Sequence, residues 1–278
     1  MKKGPDMAYT EKELSDLIYL YAVTKAKPSR RLLQELELNV YTVHFKGSYA
    51  VVSRVSPDEF SEANLKAKLA DMQWLERKAV QHDNVIKAIM RETTVIPFKF
   101  ATIFQSDKNV EKLLKEHASQ FAKMLSRLDA REEWGMKIYC DSDKLKAVLE
   151  KEDEKIKEID RDIISASNGK AYLLKKKKEE LIDVILTDRI SEYTQDFFDR
   201  LNGRSVAGKI NKLLPREVTQ KKEQMVLNTS FLIDKKRINE CDTLVASLKN
   251  KYEQIGFEFA WTGPWPPYNF CSIAEKRR

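Results

Sequence analysis

The chain has 278 residues, enough for two domains, and carries 50 Lys and Arg against 43 Asp and Glu, a formal charge of +7. No apolar run approaches the ~20 residues of a membrane span, and the opening MKKGPDMAYTEKE has no apolar stretch behind its lysines, so it does not read as a secretory signal. The three cysteines, Cys140, Cys241 and Cys271, lie far apart with no CxxC pair, which argues against a disulfide framework or a zinc site and for reduced thiols in a cytoplasmic protein.

Residues 1–16 are expected to be a disordered N-terminal segment outside the fold. Residues 17–23 (LIYLYAV) are apolar on both alternating faces and predict a central strand. A short helix is predicted over 29–38. Strands over 40–45 and 49–55 flank Lys46-Gly47-Ser48, a hairpin signal. Ser56-Pro57-Asp58-Glu59 has the form of a capping box with proline at the first helical position. The helical region it opens is predicted to reach Arg91 with a bend near Asp71. A fourth strand is predicted over 94–100 (TVIPFKF), where Pro97 marks an edge or a bulge. Another helix follows from Asp107, with Val110, Leu113, Leu114, Phe121, Leu125 and Leu128 on its apolar side.

The second half repeats the plan. A strand is predicted over 134–140, helices over 142–164 and 170–201 around the turn SASNG, and a strand over 224–233. A helix over 236–255 and a last strand over 257–262 complete it, and 206–215 has room for a short extra strand. Ile182, Leu186, Ile190, Tyr193, Phe197 and Leu201 form one helical stripe. The expected fold class is therefore α+β. Two ferredoxin-like α/β-sandwich domains, 17–130 and 131–278, are expected, the second enlarged by an antiparallel helical hairpin over 142–201.

Enzyme chemistry finds no footing. His44, His82 and His117 are the three histidines, none spaced for a helical metal pair, and phosphate-binding and nucleophile-elbow motifs do not occur. Catalytic residues, metal ligands and cofactors are thus expected to be none. His82 reads as a hydrogen-bonded structural residue. An RNA-binding alternative rests on the sheet, with Tyr19 and Tyr21 on one strand face as a stacking platform. The segment 46–53 begins like an RNP motif but lacks its aromatics.

Two segments are unusual. The first runs from Trp74-Leu75-Glu76 through His82 to Val95, Pro97, Phe98, Lys99 and Phe100. The second is Gly263-Pro264-Trp265-Pro266-Pro267-Tyr268-Asn269-Phe270. Together they resemble the GvpL/GvpF family of gas vesicle proteins, in which a W-L-E…H helix leads into a V-x-P-F/L-[RK]-F strand and the chain closes on G-P-W-P-P-Y-x-F. The resemblance covers about residues 17–270. Ala101 departs from it, since the family more often has glycine there.

The resemblance implies a non-enzymatic accessory or minor structural protein of gas vesicle assembly, in the cytoplasm or on the vesicle. Its implied partners are the shell protein and other gas vesicle accessory proteins, with neither nucleic acid nor membrane among them. Trp74, His82, Pro97, Phe98 and Phe100 would then be family-motif residues of structural kind. Gly263, Pro264, Trp265, Pro266, Pro267, Tyr268 and Phe270 are the candidate protein-binding residues. Their prolines pre-extend the backbone and their rings supply apolar area. The long helical stripe and a sheet edge near Pro97 are further candidate docking surfaces, the stripe more readily read as packing on its own domain.

Overall fold

The computed structural model describes residues 16–36 and 38–271. The expectation of disorder over 1–16 falls, Asp16 apart, outside them. The chain forms two compact units, the first running to Asp129 and also taking in Cys271, and the second spanning Ala130–Phe270. Each is built on one antiparallel sheet with helices packed on it.

The first unit contains β1 (Leu17–Thr24), α1 (Arg30–Glu35), β2 (Tyr41–Phe45), β3 (Ser48–Val55), α2 (Pro57–Phe60), α3 (Glu62–Lys68), α4 (Met72–Met90), β4 (Val95–Pro97), β5 (Ile103–Phe104), α5 (Asp107–Glu116) and α6 (Ala118–Leu128). The strand order is β2-β3-β1-β4, and β5 also pairs with β1. Every residue of β1 is buried. Leu17, Tyr19 and Tyr21 join Trp74, Val85, Ile86 and Ile89 of α4 in one core. Buried Val110, Leu114, Phe121 and Leu125 of α5 and α6 lie outside that core, on helices that also contact the sheet. Both faces of β1 are covered, which is why its sequence shows no polar alternation. Lys46 and Gly47 both take positive φ, the geometry of a two-residue hairpin turn.

Several local expectations change. The helical region after Ser56 is three helices, and Asp71 caps the third by accepting from the N–H groups of Gln73 and Trp74, each at 3.1 Å. Ser56 caps α2, but Glu59 does not close a capping box. Its carboxylate turns to Trp74 Nε1 at 3.2 Å and Lys78 Nζ at 2.8 Å. The helix from Asp107 breaks at His117, whose φ of −109° and ψ of 14° are not helical. The strand expected over 94–100 keeps ladder pairing only at Val95–Pro97, at the edge, and β5 takes over the pairing with β1 beyond it.

The second unit contains β6 (Arg131–Cys140), α7 (Ser142–Glu152), α8 (Glu154–Ser165), α9 (Asn168–Asn202), β7 (Ala207–Ile210), α10 (Arg216–Thr219), β8 (Gln224–Asp234), α11 (Ile238–Tyr252) and β9 (Phe257–Trp265). The strand order is β7-β8-β6-β9. Met136, Ile138, Phe231 and Phe257 of the sheet bury against Leu145, Ile156, Ile182, Phe197 and Val245 of the helices.

The helix expected over 142–164 is interrupted. Asp153 adopts an extended ψ of 124° and caps α8, accepting from Lys155 N–H at 3.0 Å. Ion pairs Lys178–Asp160 at 2.9 Å and Lys146–Asp183 at 2.7 Å link α9 to α8 and α7. The α9 stripe is absorbed internally, since Ile182, Leu186, Phe197 and Leu201 are buried in the unit's own core and Ile190 and Tyr193 pack against it. The stripe is therefore not an open seat for a partner helix.

Candidate functional site

Three family-motif residues of the first unit, Trp74, His82 and Phe100, meet in one ring cluster, which Phe98 joins through its carbonyl while its own ring faces Phe121. Tyr19 Oη lies 2.9 Å from His82 Nδ1, and His82 Nε2 lies 3.1 Å from the carbonyl oxygen of Phe98. A carbonyl only accepts, so Nε2 carries the hydrogen and Nδ1 accepts from the tyrosine. Tyr19 Oη in turn accepts from the N–H of Ala101 at 2.9 Å. The chain of bonds thus runs from Ala101 through Tyr19 and His82 to Phe98 and pins both ends of the turn leaving β4. Burial holds the His82 pKa below its ordinary value, which keeps this tautomer neutral.

Phe100 stands edge-on to His82 and to Trp74, and Trp74 also meets Phe60. Ala101 takes a φ of 58°, so the backbone adopts the left-handed geometry that glycine enters without strain.

A cavity of 210 Å³ lies beside this cluster, lined among others by Tyr21, Ser53, Glu59, Lys78 and His82. Four of its polar side chains are engaged in pairs: Tyr21 bonds Ser53 at 3.0 Å, and Lys78 pairs with Glu59. Both nitrogens of His82 are committed as well. Tyr19 and Tyr21 do share a strand face, with ring centroids 4.6 Å apart, but that face is buried against α4 and offers no platform on which bases could stack. Burial pushes the Cys140 thiol up to about 12, far from the range of a reactive thiolate.

In the second unit the closing segment does not follow the last strand; it begins within it. β9 reaches Trp265, pairing Trp265 with Glu133 past a register irregularity between Glu133 and Gly135. The expected strand end at 262 is overrun because Gly263 lets the chain pass against an indole. A β-carbon there would stand 2.7 Å from Trp134 Cδ2. Trp134 stacks on Trp261 with ring centroids 5.1 Å apart.

Past the strand, Pro266 and Pro267 are buried and Phe270 is half-buried. Asn269 then locks the segment down. Its backbone N–H donates to Glu133 Oε2 at 3.0 Å, and its Nδ2 donates to Glu133 Oε1 at 2.6 Å. The same Nδ2 lies 2.9 Å from Ser230 Oγ. Glu133 is buried, and desolvation raises its pKa although the bonds from Asn269 and Ser230 act the other way. Trp265 and Tyr268 remain outside at 40% and 38% exposure, and Trp265 Nε1 donates to Thr262 Oγ1 at 3.1 Å.

The structure brings Trp74, His82, Phe98 and Phe100 together, with Pro97 in the adjoining strand. It divides the candidate docking segment into buried anchors and outward rings. Glu133, Trp134, Ser230 and Asn269 belong to the same construction and were not among the residues singled out by sequence. Asn269 had stood as the variable position of the closing motif. A lone carboxylate at 133 in a strand gives no pattern signal, and only pairing with β9 brings it to Asn269.

These features define an α+β protein of two antiparallel sheets whose distinctive residues build cores and hold a fixed aromatic end. The family model described as Gas vesicle synthesis protein GvpL/GvpF matches residues 17–272, and the chain belongs to that family. It is 29% identical to gas vesicle protein L of Streptomyces sp. (strain CB03234), over 82% of this chain and 81% of that one. It is 23% identical to gas vesicle protein L1 of Halobacterium salinarum, over 95% and 93%. The fold matches the crystal structure of the gas vesicle protein GvpF from Anabaena sp. with a TM-score of 0.69 at 18% identity, covering 95% of this chain and 99% of that one. The GvpF structure from Microcystis aeruginosa gives 0.62 at 18% identity, covering 92% and 99%. The family comprises gas vesicle structural or assembly proteins and is not one of known enzymes. Among the described residues no helix is long and apolar enough to cross a membrane.

Proposed function

We propose that this protein is an accessory factor of gas vesicle assembly that docks the shell protein on the rings of Trp265 and Tyr268. A subunit that must present apolar surface to gas is prone to aggregate in water until it polymerises. The observation that carries the reading is the division of the closing segment. Asn269 is bonded to the sheet and Pro266 and Pro267 are buried, while Trp265 and Tyr268 stand exposed. Rings presented on a fixed base lose little entropy when a partner covers them, and truncating such an anchor typically costs ~2 kcal/mol or more of binding.

The orders β2-β3-β1-β4 and β7-β8-β6-β9 support reading both units as ferredoxin-like. We take 17–130 and 131–278 as the domains. The cross-helix ion pairs support reading α7, α8 and α9 as an inserted helical hairpin. On this view the first unit's motif residues Trp74, His82, Pro97, Phe98 and Phe100 serve stability.

The test is co-purification of the full chain with its shell protein, comparing wild type with Trp265→Ala/Tyr268→Ala. The double variant should keep its circular dichroism spectrum and lose capture at least tenfold. Undiminished capture by a folded double variant refutes docking on these rings.

A further inference from the structure

A second surface lies at the other end of the same sheet. β7 is the edge of the order β7-β8-β6-β9, and among the described residues no strand covers its outer side. Its inner side pairs with β8, Ala207 opposite Leu232 through Ile210 opposite Thr229, and Asn211 N–H continues the ladder to Asn228 O at 2.7 Å. Antiparallel alternation then assigns Lys209 and Asn211 to bonds with β8, while at the start of the strand Val206 N–H donates to Leu232 O at 2.8 Å. Gly208 and Ile210 turn their N–H and C=O groups to the outer edge.

The side chains of β7 and of the stretch that follows it are unusually apolar for exposed positions. Val206, Ile210, Leu213 and Val218 are 41%, 57%, 45% and 61% exposed. Interleaved with them are exposed Lys209, Lys212 and Arg216, none of which makes an ion pair among the described residues.

An uncovered edge with apolar flanks is a template for strand pairing. Pairing β7 with β7 of a second copy would bring this cationic stretch against itself, which is unfavourable. We propose that the β7 edge accepts an extended acidic segment of a partner protein as an added strand. Backbone bonds at Gly208 and Ile210 would supply affinity, and Lys209, Lys212 and Arg216 would select acidic residues alternating with apolar ones. Gly208, Ile210, Lys212 and Arg216 take no part in holding Trp265 and Tyr268; Lys209 alone reaches that segment, through its attraction for buried Glu133, so Ile210→Pro tests this edge apart from the rings.

The probe is a short fluorescent peptide alternating Val and Glu, with its Val/Lys counterpart, titrated against the full chain by anisotropy. The acidic peptide should bind at least about tenfold more tightly than the basic one, and added salt should weaken it. Ile210→Pro removes an outward donor without touching the inner ladder and should abolish binding. If that variant does not fold, Lys209→Glu/Lys212→Glu/Arg216→Glu should invert the peptide preference. The idea is overturned by equal binding of the two peptides, by binding of neither, or by unaltered binding in a folded Ile210→Pro. It is also overturned if the chain self-associates in sedimentation and Ile210→Pro makes it monomeric, for then a second copy occupies the edge.

Discussion

Tyr19 and His82 stand 63 residues apart in sequence and share a 2.9 Å hydrogen bond in the core of the first unit. The bond requires neutral His82. Burial holds the His82 pKa below 6.5, so as the pH falls the unfolded chain takes up its proton first. The stability that neutral His82 contributes is complete above 6.5 and is lost as the pH drops through the folded-state value. Urea denaturation across mildly acidic pH should show this decline. His82→Ala should lose about 2–4 kcal/mol near neutrality and show a flatter profile below it.

Asn269→Ala should act at the other end of the chain. It keeps the backbone N–H to Glu133 but deletes the 2.6 Å bond from Nδ2. A buried carboxylate that loses such a partner is destabilised by roughly 1–3 kcal/mol. Glu133 already has a raised pKa, so stability linked to its protonated form is complete below 4.5 and fades as the pH rises through the folded value. Losing Asn269 Nδ2 raises that pKa further. The deficit of the variant should therefore be larger at pH 7 than near pH 4.5, measured by denaturant titration at both.

Ala101→Gly should stabilise the protein. A left-handed non-glycine residue costs about 1–2 kcal/mol, and glycine returns part of that gain through unfolded-state entropy, about 0.4–1 kcal/mol. A net rise of about 0.5–1 kcal/mol is expected, visible as a higher Tm. An unchanged or lower Tm would mean that the φ of 58° is not strained here.

Gly263→Ala should destabilise by about 1–3 kcal/mol, as overpacking does, because the added carbon would meet Trp134 at 2.7 Å. Near-ultraviolet circular dichroism should report it, since Trp134 and Trp261 stack at that point.

Much of the architecture was legible from pattern alone. The residues of β1 announced a strand buried on both faces, Ser56-Pro57 announced a helix start, and the spacing from Ile182 to Leu201 announced one buried stripe. Local signals misled where a distant group competed. Glu59 looked like the end of a capping box, yet Trp74 and Lys78 claim its carboxylate. Apolar periodicity ran through His117 and Asp153 because periodicity records which side faces the core and is blind to a one-residue break. The clamp between Asn269 and Glu133 left no trace in spacing, because 136 residues separate its ends. The rings of the closing motif were visible as residue types. Which of them face outward depends on Pro266 and Pro267 being buried, a tertiary fact.

The 35 residues of α9 would measure about 52 Å end to end at 1.5 Å per residue. Its first fully buried side chain is Ile182, and ahead of it Ala171, Leu174 and Leu181 are only half-buried, so this leading stretch is weakly anchored. What grips it includes the Lys178–Asp160 pair, an attraction that salt weakens. The distal stretch should therefore fray well before the rest of the molecule melts. Amide exchange should be quickest over 168–181, and trypsin should nick the Lys175–Lys178 run first, sooner at high ionic strength than at low.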